Sequence, residues 1–305
     1  MKIKTLSVST YPRYNATNAS QPTAGKAIFG YGAGPVSMTN LVSNIGVVAT
    51  DTTGVGTARS YLAAAGYGSD KAIFGYGYSS TEVSITNKVS NTGVVATDTT
   101  GVGTVRIYLA ATGYGTDKAI FGYGANNAQS TFYSMTNLVS NTGVVATDTT
   151  GVGTLRYLLA AAGYGTDKAI FGYGVQGGGV SNLVSNTGVV ATDIAAPGTS
   201  RWGLTAAGYG TDKAIFGYGY NNVSMTNLVS NTGVVATDTT GVGTGRYHLT
   251  ATGYGSDKAI FGYGYVAGAV SMTNLVSNTG VVATDTTGVG TARYALAAAR
   301  FGGVW

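Results

Sequence analysis

Residues 106–154 read RIYLAATGYGTDKAIFGYGANNAQSTFYSMTNLVSNTGVVATDTTGVGT. Four short apolar runs, at 107–111, 118–123, 133–139 and 144–147, are separated here by Gly, Asn, Asp or Thr. Runs of this length punctuated by glycine predict strands. Glycine fills 49 of 305 positions, and each one inside a helix would cost about 1 kcal/mol, so a helical reading is disfavoured. The Asn-Thr-Gly of SNTG suits a tight hairpin turn that needs positive φ.

The stretch recurs. KAIFGYG starts at Lys26, Lys71, Lys118, Lys168, Lys213 and Lys258. An arginine followed by a small-residue run begins at Arg59, Arg106, Arg156, Arg201, Arg246 and Arg293. All length variation falls just after GYG, at residues 33–35, 78–82, 125–133, 175–179, 220–222 and 265–269. A surface loop absorbs such insertions and a packed strand does not. The fourth unit also lacks the Met-Thr of SMTN and carries IAAPGTS where others have TTGVGT and one residue more.

Four strands in about 40–50 residues make one blade of a propeller. The competing architecture, a β-solenoid, repeats at about 20–30 residues. The expectation is therefore an all-β, six-bladed β-propeller of four-stranded blades over residues 26–305. The regular part begins in mid-unit at KAIFGYG and finishes with a first-strand segment at 293–303. That segment is expected to complete the first blade and so close the ring without an open seam. Arg13-Tyr14-Asn15 competes for the same slot but lacks the Leu-Ala-Ala-Ala run, and Pro22 follows it. Residues 1–25 are then expected to form an N-terminal arm.

The order of elements resembles kelch repeats, in which a small-residue inner strand follows an arginine and the next strand ends in two glycines. Here the double glycine stands as Gly-Tyr-Gly, and the family's outer-strand tryptophan is missing. The near-identical KAIFGYG and SMTNLVSNTGVVATDTTGVG segments are also similar to kelch-like proteins encoded by tailed bacteriophages. That resemblance implies a virion protein, made in the host cytoplasm and anchored to other virion proteins through residues 1–25. A cytoplasmic kelch-type scaffold for protein–protein interaction is the alternative, and a glycan-processing enzyme a third.

Composition narrows the chemistry. The chain has no cysteine, one histidine (His248) and one glutamate (Glu82), which excludes disulfides, thiolate metal sites and a paired-Glu centre. The formal charge is +5, but no Lys/Arg stripe forms, so nucleic-acid binding is not expected. No long apolar run opens the sequence, so neither a cleaved leader nor membrane insertion is expected. The reading is of a non-enzymatic protein without cofactor or metal.

Two residue sets stand out. Aspartates at 51, 98, 148, 193, 238 and 285 each precede an arginine by eight residues, giving Asp51/Arg59, Asp98/Arg106, Asp148/Arg156, Asp193/Arg201, Asp238/Arg246 and Asp285/Arg293. Equal numbers at fixed spacing predict structural ring pairs, each Arg joined to an Asp of its own or a neighbouring blade, in preference to an anion-binding channel mouth. The variable loops carry Tyr78, Asn126, Asn127, Phe132, Tyr133, Gln176, Tyr220, Asn221, Asn222 and Tyr265. Aromatic and amide side chains on one face suit a cell-surface glycan or protein ligand. The GYG tyrosines, the Asp-Lys turn residues and His248 are read as packing and turn residues.

Overall fold

The computed structural model describes residues 25–302, as six antiparallel sheets without a helix. In chain order the strands are β1 (Lys26–Gly32) and β2 (Val36–Val42); β3 (Ala63–Tyr67), β4 (Lys71–Gly75) and β5 (Thr86–Val89); β6 (Ala110–Tyr114), β7 (Lys118–Ala125) and β8 (Phe132–Val139); β9 (Ala160–Tyr164), β10 (Lys168–Gly172), β11 (Val180–Val184) and β12 (Ile194–Ala195); β13 (Thr205–Tyr209), β14 (Lys213–Gly219) and β15 (Val223–Val229); β16 (Thr250–Tyr254), β17 (Lys258–Tyr265) and β18 (Ala269–Val276); and β19 (Ala297–Phe301). Each group is one sheet hydrogen-bonded in sequence order, and β19 joins the first sheet by pairing with β1 on the side away from β2. Its register sets Ile28 opposite Ala299 and Phe29 opposite Ala298. The expected arm, residues 1–25, lies outside the described residues except for Gly25.

The apolar core lies between successive sheets. Ile28, Ala297, Ala299 and Phe301 of the first pack on Ala64, Ala72, Phe74 and Val89 of the second, and the pattern repeats. One glycine explains the close approach. A Cβ on Gly30 would stand 2.8 Å from the Phe74 ring, and Gly75 meets Phe121 in the same way, Gly122 Phe171, Gly172 Phe216, Gly217 Phe261 and Gly262 Phe29. The phenylalanine of each KAIFG segment thus fills the space left by the glycine of the preceding one, and the last in the series returns to the first strand.

Two expectations need correction. The inner strand of the second full unit covers 110–114, not 107–111, because Tyr108 adopts φ +59° and breaks the extended run. The fourth run is a continuous strand in none of the sheets; it is held by isolated bridges, such as Val139 with Val145, with Thr136 and Thr149 bridging just beyond it, and β12 lies past the corresponding run 189–192 of its unit. Between those bridges the outer segment has one residue more than its partner, a bulge, and the Asn137 amide spans it by donating to Ala146 O (3.0 Å) and Asp148 Oδ1 (2.8 Å).

The fourth unit's two departures are coupled. In most units a glycine follows the paired threonines, and a Cβ on Gly54 would lie 2.1 Å from Ser37. Ala196 occupies that place in the fourth unit, facing Gly179, whose carbonyl accepts its N–H at 2.8 Å. The shortened strand makes room for the extra methyl, and a ladder of two residue pairs forms.

Candidate functional site: an aromatic cavity mouth

The six arginines are buried, between 0 and 4% exposed, and none sits at a channel mouth. Each carries its guanidinium 4.4–4.9 Å over the ring of a GYG tyrosine in the preceding sheet. Arg106 donates from Nε to Tyr123 O (2.8 Å), from Nη1 to Thr104 O (3.0 Å) and from Nη2 to Asn137 Oδ1 (2.6 Å). Five of the six repeat the Nε bond, and all six repeat the bond to asparagine.

The aspartates pair as Arg59–Asp98, Arg106–Asp148, Arg156–Asp193, Arg201–Asp238, Arg246–Asp285 and Arg293–Asp51, at 3.5–4.0 Å. The partner is therefore the aspartate on the outer segment of the arginine's own sheet, not the one eight residues upstream. Partial burial pushes the Asp148 carboxyl up, but bonds from Thr104 and Asn137 and the Arg106 charge outweigh it and hold it below the usual range. In five of the six sets these groups bind one another through Nε, Nη1 and Nη2; in the fourth, Arg156 hydrogen-bonds only through Nη2, to Asn182, and its Nε and Nη1 have no hydrogen-bond partner among the described residues.

Two residues beyond each arginine, at Tyr61, Tyr108, Leu158, Gly203, His248 and Ala295, the backbone turns left-handed, with φ from +51° to +63°. Five of these are not glycine, a strained choice held by a circle of hydrogen bonds. The amide of Tyr108 donates to Tyr61 O, Leu158 to Tyr108, Gly203 to Leu158, His248 to Gly203, Ala295 to His248 and Tyr61 to Ala295, at 2.9–3.2 Å. At the opposite ends of the inner strands each turn glycine donates to the next sheet's turn, Gly68 to Asp117 O at 2.7 Å for example.

Between these two levels lies a cavity of about 520 Å³, lined by the inner strands of all six sheets. That volume falls within the ~300–1,000 Å³ of small-molecule sites. Its two ends differ. Lys118, Lys168, Lys213 and Lys258 stand at one, each lysine bonded to the aspartate before it at 2.9–3.0 Å. Tyr61, Tyr108 and His248 stand at the other.

From that second end a chain of ring contacts spreads outward. Tyr61 meets Tyr108 at 4.5 Å and His248 at 5.7 Å, Tyr108 meets Tyr157, and Tyr157 stacks on Phe132 at 5.1 Å. His248 touches Trp202, Tyr247 and Tyr294; Trp202 stacks on Tyr220 at 3.8 Å, and Tyr265 bridges Tyr247 and Tyr294.

The loop residues divide accordingly. Phe132, Tyr220 and Tyr265 join this aromatic surface. Asn126 instead builds its own loop, its Oδ1 accepting from the amides of Ser130 and Thr131. Asn221 and Asn222 take positive φ in the β14–β15 turn, as does the exposed Gln176 in its loop. The Asn127 amide donates to Glu82, joining two loops. Tyr78 bridges to Ser60 and Glu82, and Tyr133, opposite Gly124 on β8, is half-buried. Sequence reasoning passes over Tyr61, Tyr108, Tyr157, Trp202, Tyr247 and Tyr294, and reads His248 as a packing residue. The signal was there: the two residues after each arginine read SY, IY, YL, WG, YH and YA in units otherwise nearly identical. His248 is not simply a packing residue, for it lines the cavity.

Among the described residues no group of His, Asp and Glu is placed to hold a metal ion, and no helix is long and apolar enough to cross a membrane. No protein-family model matches the chain, and a search of curated proteins finds no relative.

Proposed function

We propose that the six sheets are the blades of a closed, kelch-like β-propeller and that the chain is a non-enzymatic binding protein. The pairing of β19 with β1 and the circle of amides from Tyr61 through Ala295 support closure. The ligand face is the end of the ring where Tyr61, Tyr108, Trp202 and His248 meet the variable loops. The observation that carries this reading is the continuous aromatic surface at one cavity end, built where the repeats diverge. Flat apolar rings bearing hydroxyl, indole and imidazole groups suit glycans, whose sugar rings offer an apolar face and a polar edge. The resemblance to phage-encoded proteins supports display on a virion, with residues 1–25 as the anchor.

Two measurements test this. A glycan array read with the purified protein should show binding that Trp202→Ala and Tyr108→Ala weaken. The protein should also cosediment with purified virions; recovery only in the soluble fraction of a lysate overturns the virion assignment.

A further inference from the structure

The cavity mouth is lopsided. Tyr61, Tyr108 and Leu158 are consecutive around the circle of amides and fill one half with side chains. His248 stands in the other half, between Gly203 and Ala295, which have no side chain or only a methyl. A Cβ on Gly203 would come 3.6 Å from His248 Nδ1 and 3.5 Å from Tyr247 Cβ, ordinary contact distances. On its Gly203 side the imidazole therefore borders a notch, bounded on the Ala295 side by Tyr61, that no side chain of the circle occupies among the described residues.

Among the described residues nothing hydrogen-bonds the imidazole nitrogens, whereas rings surround it: Tyr247 at 4.9 Å, Tyr61 at 5.7 Å, Trp202 and Tyr294 at 6.2 Å. Burial holds the imidazole neutral down to about 4, so it offers one donor and one acceptor across the ordinary pH range. The charged residues lining the cavity are Lys118, Lys168, Lys213, Lys258, Asp167, Asp257 and Arg300. The lysines and aspartates belong to the turns between the first and second strands and Arg300 to the same end of β19, so all lie at the far end. Among the described residues none at the notch could neutralise a carboxylate or phosphate.

We infer that the notch beside His248, between Gly203 and Ala295, binds one uncharged sugar residue of a glycan, the imidazole bonding its hydroxyls and the Trp202–Tyr247 rings covering its apolar face. This rests on the glycan-binding reading above and adds a location and a ligand class. An anionic sugar would leave its charge desolvated without a partner.

The test uses the full chain with Trp305→Phe, so that Trp202 is the sole indole. Galactose, glucose and N-acetylglucosamine are compared with N-acetylneuraminic and glucuronic acids by Trp202 fluorescence and saturation-transfer NMR. At least one neutral sugar should bind at least tenfold more tightly than either acid. Gly203→Leu should abolish that binding and His248→Ala should weaken it about tenfold. The repeats themselves supply these residues at the same backbone geometry, as Leu158 and Ala295, so both variants should fold. Leu158→Gly should bind as the parent does. Equal or tighter binding of the acids overturns the ligand class. Neutral-sugar binding that survives Gly203→Leu overturns the location and leaves the glycan reading standing. If no sugar binds in this panel and the array is blank, both fail.

Discussion

Replacing Arg106 by methionine tests whether the buried arginines hold neighbouring sheets together. Its guanidinium supplies hydrogen bonds to Tyr123 O and Asn137 Oδ1, both inaccessible to water, and covers the Tyr76 ring at 4.4 Å. Methionine fills much of the volume but donates nothing. Each buried acceptor left without a donor costs about 1–3 kcal/mol, and the desolvated ring contact adds about 2. Non-additivity trims the sum, and breaking a buried charged arrangement costs about 3–5 kcal/mol. That is the loss expected for Arg106→Met. Lys118→Met removes a partly exposed pair with Asp117 at 3.0 Å, a pair of the kind worth about 0–1 kcal/mol. Urea unfolding followed by circular dichroism, with midpoints compared at constant m, reads both. Because the group is shielded from water, the Arg106→Met loss should change little between low and high salt. A loss below about 1 kcal/mol, or one equal to that of Lys118→Met, would refute the reasoning.

Removing residues 297–305 takes β19 away and leaves the edge of β1 unpaired; the melting temperature should fall by more than 10 °C or the protein should aggregate, and an unchanged melt would show that the β1–β19 pairing is dispensable. Gly143→Ala places a Cβ 2.6 Å from the Tyr67 ring at φ +74° and should cost at least about 2 kcal/mol, while Gly268→Ala, with nothing within 4 Å, should be near neutral; similar midpoints would contradict the packing of that turn on the neighbouring sheet. His248 is depressed from its ordinary 6.5 to about 4 by burial, so the unfolded chain takes up a proton that the folded chain refuses between those values. Its contribution to stability is therefore present above pH 6.5 and lost as the pH falls towards 4, and His248→Tyr should flatten that part of the melting profile. The aspartates of the Arg–Asp pairs act in a separate window, below about 4, where their lowered carboxyls begin to protonate.

The strands could be read from the repeat because glycine and apolar runs alternate with fixed spacing, and the positive φ of the SNTG glycine follows from its turn chemistry. The partner of each arginine could not. Every unit places one aspartate eight residues before the arginine and another on the outer segment of the same sheet, so spacing alone does not separate them. Geometry decides, since Thr104 and Asn137 both point at Asp148. The outer strand was over-read for a related reason: the VVAT run has strand composition, but the bulge filled by Asn137 breaks the ladder. Helping to hide the cavity mouth, Tyr108 lies inside an apolar run that reads as strand, and the sequence carries no mark of its left-handed backbone.

Why the repeats diverge where they do follows from the packing. The Gly-Tyr-Gly segment cannot drift, because Gly122 is contacted by Phe171 and the Tyr123 carbonyl receives Arg106. The inner-strand glycine is less constrained: a Cβ on Gly113 or Gly163 would stand 3.4–3.5 Å from the carbonyl of the preceding inner-strand glycine, an ordinary contact, and β19 carries Arg300 at the equivalent position. The second residue after the arginine is different. Its backbone is fixed by the circle of amides, while its side chain lines the cavity, so Tyr, Leu, Gly, His and Ala are all accepted on one framework. A position whose backbone is held by neighbours on both sides, and whose side chain borders open space, can vary without unsettling the packing of the sheets. Six such positions around one cavity, with the variable loops near them, are where the proposed propeller separates the residues that hold neighbouring sheets together from those free to suit the proposed ligand.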